Sequence, residues 1–396
     1  MADLVIAGGG PAGAALAICA GRAGFSVALF EAGRFPREKA CGEGLMPAGV
    51  GVLERLGLAS FVGGLPLMGV RYHGFGVIAE PRFPGPLRDV PAGGPAAHGL
   101  GQRRLVLDDV LLGAARATPN VRVFEGTPVE GLLWRAGRAV GVVAGGGPVH
   151  GRLVIGADGF RSRVRGALGL DAPAAPHPRW GVRVHFRLAH ASPAPNFIEV
   201  FLGPGHELYL TPLPAGEVML SALCARPARR SQGEGVPADP DGAPERAQRA
   251  LFALVAQHPT LTEHLRDATL VSTPRGRFPL ACRAQAGVAP GAVLLGDAAG
   301  FTDPITGGGM AQALLSAELL ARYLPRALAE GDDEWLWRFD RQRRAMLRDY
   351  HLLTALLLQA TRRPRVARAT LHLMRANPRV MGHLVGVAAG LRRLTV

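Results

Sequence analysis

Ala2-Asp3-Leu4-Val5-Ile6-Ala7-Gly8-Gly9-Gly10-Pro11-Ala12-Gly13 opens the chain after its first methionine. Residues 3–7 read as a buried strand, 8–13 as a turn and the alanine-rich run 14–23 as a helix. Gly8 permits a tight turn, Gly10 lets the backbone approach a pyrophosphate, and Gly13 lets helix and strand pack closely. The helix start offers N–H groups and partial positive charge to phosphates. Residues 26–31 read as a second strand, and Glu31 at its end places a carboxylate where it can bind ribose hydroxyls. This is a βαβ unit for a dinucleotide. The loop alone does not separate NAD from FAD.

The rest of the composition sets bounds. A chain of 396 residues suits two domains, or one large domain with an insertion. At 48% hydrophobic residues it can build sizeable cores. No uninterrupted apolar run reaches the roughly 18 residues of a membrane span. The N-terminus has no basic segment before its apolar stretch, which argues against a signal peptide. Cys19, Cys41, Cys224 and Cys282 are scattered, so neither a metal site nor a disulfide framework is expected, and a reducing cytoplasm is the expected home. The net charge of +14 does not indicate nucleic acid. Lys39 is the only lysine, the arginines are dispersed, and basic residues do not interleave with aromatics as in a single-strand binder. Anionic cofactors or an acidic membrane surface account better for the charge.

Along the chain, residues 82–101 and 226–244 are rich in Pro and Gly and read as loops. Residues 105–117 and 245–257 read as helices, and 121–143 as a small antiparallel sheet. Alternating apolar residues from Trp180 to Cys224 predict a second, mainly antiparallel sheet. Residues 293–295 read as another buried strand and 309–329 as a long helix. The remainder is helical, with breaks before Pro364 and Pro378.

Two later segments choose the cofactor. Gly156-Ala157-Asp158-Gly159-Phe160-Arg161-Ser162-Arg163-Val164-Arg165 and Gly296-Asp297-Ala298-Ala299-Gly300 resemble the Gly-Ala-Asp-Gly and Gly-Asp-Ala-Ala segments of flavoprotein hydroxylases. The chain thus resembles the FAD-dependent monooxygenases of the para-hydroxybenzoate hydroxylase-like superfamily. Phe35-Pro36-Arg37-Glu38-Lys39-Ala40-Cys41-Gly42-Glu43-Gly44 places it near the geranylgeranyl reductase-related branch, whose segment reads Pro-Arg-x-Lys-x-Cys-Gly-Gly-Gly. Arg104-Leu105-Val106-Leu107-Asp108 is similar to that group's Arg-x-x-Phe-Asp, and Asp303-Pro304-Ile305-Thr306-Gly307-Gly308-Gly309 to its turn over the flavin ring. At Gly308 the relatives commonly carry Glu.

The resemblance implies an α/β fold: a Rossmann-like FAD-binding domain of the GR2 type, an inserted mainly antiparallel substrate domain and a helical C-terminus. The expected segments are 1–72, 101–165 and 281–330 for FAD, 73–100 and 166–280 for substrate, and 331–396 for the helical region. For the cofactor it implies Gly8, Gly10, Pro11, Ala12, Gly13, Glu31, Ala32, Arg37, Cys41 and Gly42. It adds Arg104 (with Arg103 as competitor), Val129, Asp158 and Gly159. Asp297 would hold the ribityl chain, and Pro304, Gly307, Gly308, Gly309 and Met310 would surround the ring. Met46, Arg183, His185 and Tyr209 are the substrate-side candidates, and Tyr209, His185 and Cys41 the catalytic ones. Arg183 and His185 share one face of a strand, so both approach the flavin if that face does.

Fold does not select the reaction. The first expectation is a monooxygenase using FAD, NAD(P)H and O2 to hydroxylate or epoxidise an apolar or aromatic small molecule, as in secondary metabolism. No second dinucleotide fingerprint appears. That fits a hydroxylase without a separate NAD(P)H domain, and equally a chain fed by a partner reductase. The alternative is ene reduction of isoprenoid double bonds. Geranylgeranyl reductases carry Tyr-x-Trp-x-Phe-Pro, whereas this chain has Tyr209-Leu210-Thr211-Pro212-Leu213-Pro214, without the Trp. An isomerase or cyclase with no net redox is a third reading. Halogenation is disfavoured, because Trp335-Leu336-Trp337-Arg338-Phe339 departs from the Trp-x-Trp-x-Ile-Pro pattern and Lys39 lies in the FAD loop. The tail, with Arg362, Arg363, Arg365 and Arg368 after a leucine-rich run, reads either as helices packed on the FAD domain or as a peripheral membrane surface.

Overall fold

The computed structural model describes residues 1–85, 98–173, 178–190, 192, 194–225 and 244–394. The expected loops at 82–101 and 226–244 fall largely outside them. The opening strand, Ala2–Ala7, sits inside an eight-stranded sheet. Val27–Glu31 and Gly147–Gly156 flank it in parallel, and Val121–Glu125 and Ala292–Leu294 extend the sheet on either side, again in parallel. Parallel strands covered on both faces are apolar throughout, and Leu4, Val5, Ile6 and Leu29 are fully buried. One expectation changes here. Val121–Glu125 belongs to this parallel sheet, and only Val129–Arg135 and Arg138–Ala144 form the antiparallel pair predicted for that region.

The helix Pro11–Arg22 starts with proline in its first turn, where no backbone donor is lost. It packs against Gly309–Glu330 and Arg104–Ala117. Residues far apart in sequence therefore complete the same layer.

The second sheet contains Arg179–Arg187, Glu217–Ala225, His206–Pro212 and Phe197–Gly203 as antiparallel neighbours, as predicted. Phe197–Gly203 also pairs with Gly69–Gly74, in parallel. The period of two sorts its side chains. Ile198, Val200 and Leu202 turn to an interior cavity. Phe201, Leu208, Leu210 and Leu220 turn the other way, onto Ala247, Leu251 and Val255 of the helix Pro244–Val255.

Three helices close the molecule: Glu334–Thr361, Pro364–Ala376 and Pro378–Ala388, with the breaks where the two prolines predict them. Among the described residues no helix is long and apolar enough to cross a membrane.

Candidate functional site

A cavity of about 750 Å³ lies between the glycine-rich loop, the second sheet and the C-terminal helices. At its first end are Gly8, Gly10, Pro11, Ala12, Glu31, Ala32 and Arg37. Glu31 closes the loop, accepting hydrogen bonds from the backbone N–H of Gly9 and of Gly33, each at 2.8 Å. Gly13 serves the fold and does not line the cavity: a Cβ there would stand 1.9 Å from the Gly8 carbonyl oxygen. Gly10 is the opposite case. A Cβ on it would meet no protein atom within 4 Å, so nothing in the protein requires a glycine there. Open space beside an uncapped helix start is what an anionic ligand approaching the backbone would need.

Val129, Asp158, Gly159, Arg104 and Asp297 continue the wall. Asp158 is already used: its carboxylate accepts from Ser162 Oγ at 2.5 Å and from the N–H of Arg163 at 2.7 Å and Val164 at 3.1 Å, capping a short helix. Arg104, rather than Arg103, borders the cavity. It is buried, with its guanidinium on Asp108 at 2.6 and 2.7 Å, while Arg103 pairs with Glu38 and Glu217. Asp297 accepts no hydrogen bond at its carboxylate from any described residue. Burial pushes its carboxyl above the usual range, against the pull of Lys39, Arg104 and Arg277. A hydroxyl donor from a ligand would relieve that. Lys39 in turn is held below the ordinary lysine value by burial and by Arg37 and Arg104.

At the middle of the cavity stand Cys41, Gly42, Met46, Tyr209, Pro304, Gly307, Gly309 and Met310. Cys41 Sγ lies 3.7 Å from Met310 Sδ, and a Cβ on Gly307 would touch the Met46 methyl at 2.6 Å. Tyr209 donates its hydroxyl to the Ile305 carbonyl at 3.1 Å, and burial holds its pKa well above 10. The structure thus brings Cys41, Met46 and Tyr209 onto the turn expected over the flavin ring. Gly308 is elsewhere. Its N–H donates to the Tyr350 hydroxyl at 3.0 Å, and a Cβ on it would lie 2.3 Å from that ring. Tyr350 therefore fills the space that a side chain at this position would take. Arg183 reaches the cavity but His185, on the same strand face, does not: it is fully buried behind the wall, against Glu43.

Sequence reasoning missed Tyr72, Arg277 and Lys39, which also line the cavity, and most of its far end. Lys39 sat inside a motif already quoted, but Tyr72 and Arg277 belong to no motif. The far end is apolar: Leu353, Leu357, Leu371, Met374, Met381 and Leu384, from all three C-terminal helices.

A glycine cradle on a helix start, a carboxylate on the cavity wall with no donor among the described residues, and a second uncapped helix at Gly309 are features suited to a flavin. Residues 1–351 match the family described as FAD binding domain, and the chain belongs to it, within the para-hydroxybenzoate hydroxylase-like superfamily. It is 32% identical to a menaquinone reductase of Mycobacterium tuberculosis, over 97% of this chain and 91% of that protein. It is 30% identical to the squalene monooxygenase of Mus musculus over 81% of this chain, spanning 54% of that protein. The structure overlays on a flavoprotein/dehydrogenase from Cytophaga hutchinsonii with a TM-score of 0.82 and 20% identity, covering 98% of this chain and 92% of that one, a likeness of fold. The protein is an FAD-dependent oxidoreductase.

Proposed function

We propose that this protein is an FAD-dependent reductase that saturates a double bond of a long apolar quinone or isoprenoid taken from a lipid surface. The observation that carries the reading is the make-up of the cavity lining, polar at the cradle and apolar on the C-terminal helices. The lining runs from the polar cradle, past Tyr209, to a wall of leucines and methionines on the three C-terminal helices. A small aromatic substrate would leave that wall without a partner. The similarity to menaquinone reductases over nearly the whole chain supports the same reading.

The outer side of those helices fits a membrane surface. Leu352, Leu356, Val366, Leu373 and Val380 are exposed apolar residues there. Arg362, Arg363, Arg365, Arg368, Arg375 and Arg379 are exposed beside them, and no acidic residue follows Asp349. Such a surface lies on anionic lipid.

Bound FAD supplies the hydride, with NAD(P)H or a partner reductase as the source of electrons. Gly10, Pro11, Ala12 and the helix start would hold the pyrophosphate, Glu31 and Arg37 the ribose end, and Asp297 the ribityl hydroxyls. Gly307 and Gly309 would lie against the ring, with Cys41, Met46 and Tyr209 shaping the space for the reacting bond. The dry, apolar wall would exclude water and align the chain.

Epoxidation of an isoprenoid double bond is the second reading, favoured by the similarity to squalene monooxygenase. One experiment separates the two. The holoprotein is reduced without oxygen, mixed with menaquinone in detergent micelles, and the product is weighed by mass spectrometry. After air has reoxidised the quinol ring, whose formation alone adds the same mass, a product still richer by two hydrogens is expected. A product formed only in air and carrying an oxygen atom would overturn the reductase reading.

A further inference from the structure

We propose that the Tyr72 hydroxyl holds an oxygen atom of the substrate, a ring carbonyl in the case of a quinone, and so selects an oxygen-bearing apolar molecule over a pure hydrocarbon. The inference rests on the reductase reading above.

The second sheet lays one row of side chains along the cavity. Across its strands Arg183 pairs with Ser221, Ser221 with Tyr209, Tyr209 with Val200 and Val200 with Tyr72. All five line the cavity. Neighbouring strands lie about 4.8 Å apart, so Tyr72 stands roughly 10 Å beyond Tyr209 along the row. The alternation on its own strand agrees. Val70 and Tyr72 line the cavity, whereas Arg71 and His73 turn away, to Glu80 and Glu199. The Tyr72 ring packs against the cluster that holds Leu371 and Met381 of the C-terminal helices. It therefore marks the point where the apolar wall begins.

The two tyrosines of the row differ in one respect. The Tyr209 hydroxyl is spent on the Ile305 carbonyl. The Tyr72 hydroxyl makes no hydrogen bond to any described residue, and it is not closed off by its neighbours. Tyr72 keeps part of its surface open. That surface belongs to the cavity, because burial alone pushes the phenol up to about 12. The group is thus protonated at neutral pH and can donate. Buried hydroxyls almost always have a partner, and the adjoining residues of the face, Val70 and Val200, offer only hydrocarbon. An oxygen atom of a bound molecule supplies the missing acceptor. A hydrocarbon would leave the hydroxyl unpaired, which is how a site rejects an analogue lacking the group it was built to bind.

Tyr72→Phe removes the hydroxyl and keeps the ring, so fold and FAD content should persist. The oxidised holoprotein is titrated in detergent micelles with menaquinone and separately with squalene, and binding is followed by the flavin absorption band. The variant should bind menaquinone roughly 10-fold more weakly, the scale of one lost hydrogen bond. Squalene, which has no oxygen, should be bound alike by both proteins or by neither. Equal menaquinone affinity in the two proteins, no menaquinone binding by the wild type, or the same loss for both ligands would overturn the anchor. Infrared spectra give a second readout that packing alone would not move. One carbonyl band of bound menaquinone should lie at lower frequency in the wild type than in the variant, and coincident bands would also overturn the anchor. Menaquinone that binds through Tyr72 yet keeps every side-chain double bond when the flavin is reduced would sink the reductase reading and leave the anchor standing.

Discussion

The two ends of the cavity are built by opposite means. At the cofactor end, short motifs place charged and glycine residues by local geometry, and most of those side chains are already bound to the protein, as Glu31, Asp158 and Arg104 are. At the far end, leucines and methionines from three separate helices form a wall with no hydrogen bond to fix it. The cofactor is thus recognised by directional groups at set spacings. The substrate would be recognised by shape and by water exclusion, which many apolar residues can supply.

The sharpest way to break the comparison lies within the cradle itself. Gly13→Val should destabilise the protein by about 3 kcal/mol or more, since its Cβ has nowhere to go beside the Gly8 carbonyl. Gly10→Ala should leave the melting temperature of the FAD-free protein alone and weaken FAD binding, because only a ligand competes for that space. Equal melting losses in both variants would erase the distinction between a glycine for the fold and one for the cofactor. Next in size, Asp297→Ala should weaken FAD binding roughly 10- to 150-fold, the loss of a hydrogen bond to a charged group. A fully yellow variant with unaltered affinity, measured by titration of the stripped protein, would count against the ribityl assignment.

At the other end, Arg365→Glu with Arg368→Glu should weaken binding to phosphatidylglycerol vesicles by roughly 30-fold or more, at about 1 kcal/mol for each charge near the surface. FAD content should not change. Equal cosedimentation of variant and wild type would remove the membrane from the reading.

The smallest effect is expected behind the second sheet, away from both ends. Burial, with His206 and His73 nearby, lowers His258 from 6.5 to about 4. The folded state therefore binds fewer protons than the unfolded one between those values. Stability is full above pH 6.5 and declines as pH falls toward 4. Burial pushes Glu199 up, but His264 and His73 outweigh it and bring it from 4.5 to about 2. Its contribution is present above pH 4.5 and is lost on falling toward 2. Thermal melts across this range should therefore decline in two stages, and His258→Asn should flatten the upper one; an unchanged upper stage would show another group at work.

Much of the cofactor end was legible because each motif is local. The choice between Arg103 and Arg104 was harder, since they stand side by side at the start of the same helix. The i, i+4 spacing of Arg104 and Asp108 was the available signal, and it marks the inward arginine. Other residues could not be placed from spacing. His185 shares a strand face with Arg183, yet Glu43 from a distant loop stands in front of it. Gly308 sits in the right turn, but Tyr350 covers it from the C-terminal helix. The sequence also assigned 121–125 to an antiparallel sheet, because the short stretch Val121-Arg122-Val123-Phe124-Glu125 does not reveal the direction of its neighbour.

By itself, the sequence determined the βαβ unit, the second sheet, the helical breaks and the FAD family. Those follow from backbone geometry and from residue patterns repeated over a few positions. Only the tertiary structure decided that the cavity reaches the C-terminal helices, that Glu43 meets His185, and that Gly10 faces open space. Each of these joins residues brought together by packing across long stretches of chain, and no local period records such contacts.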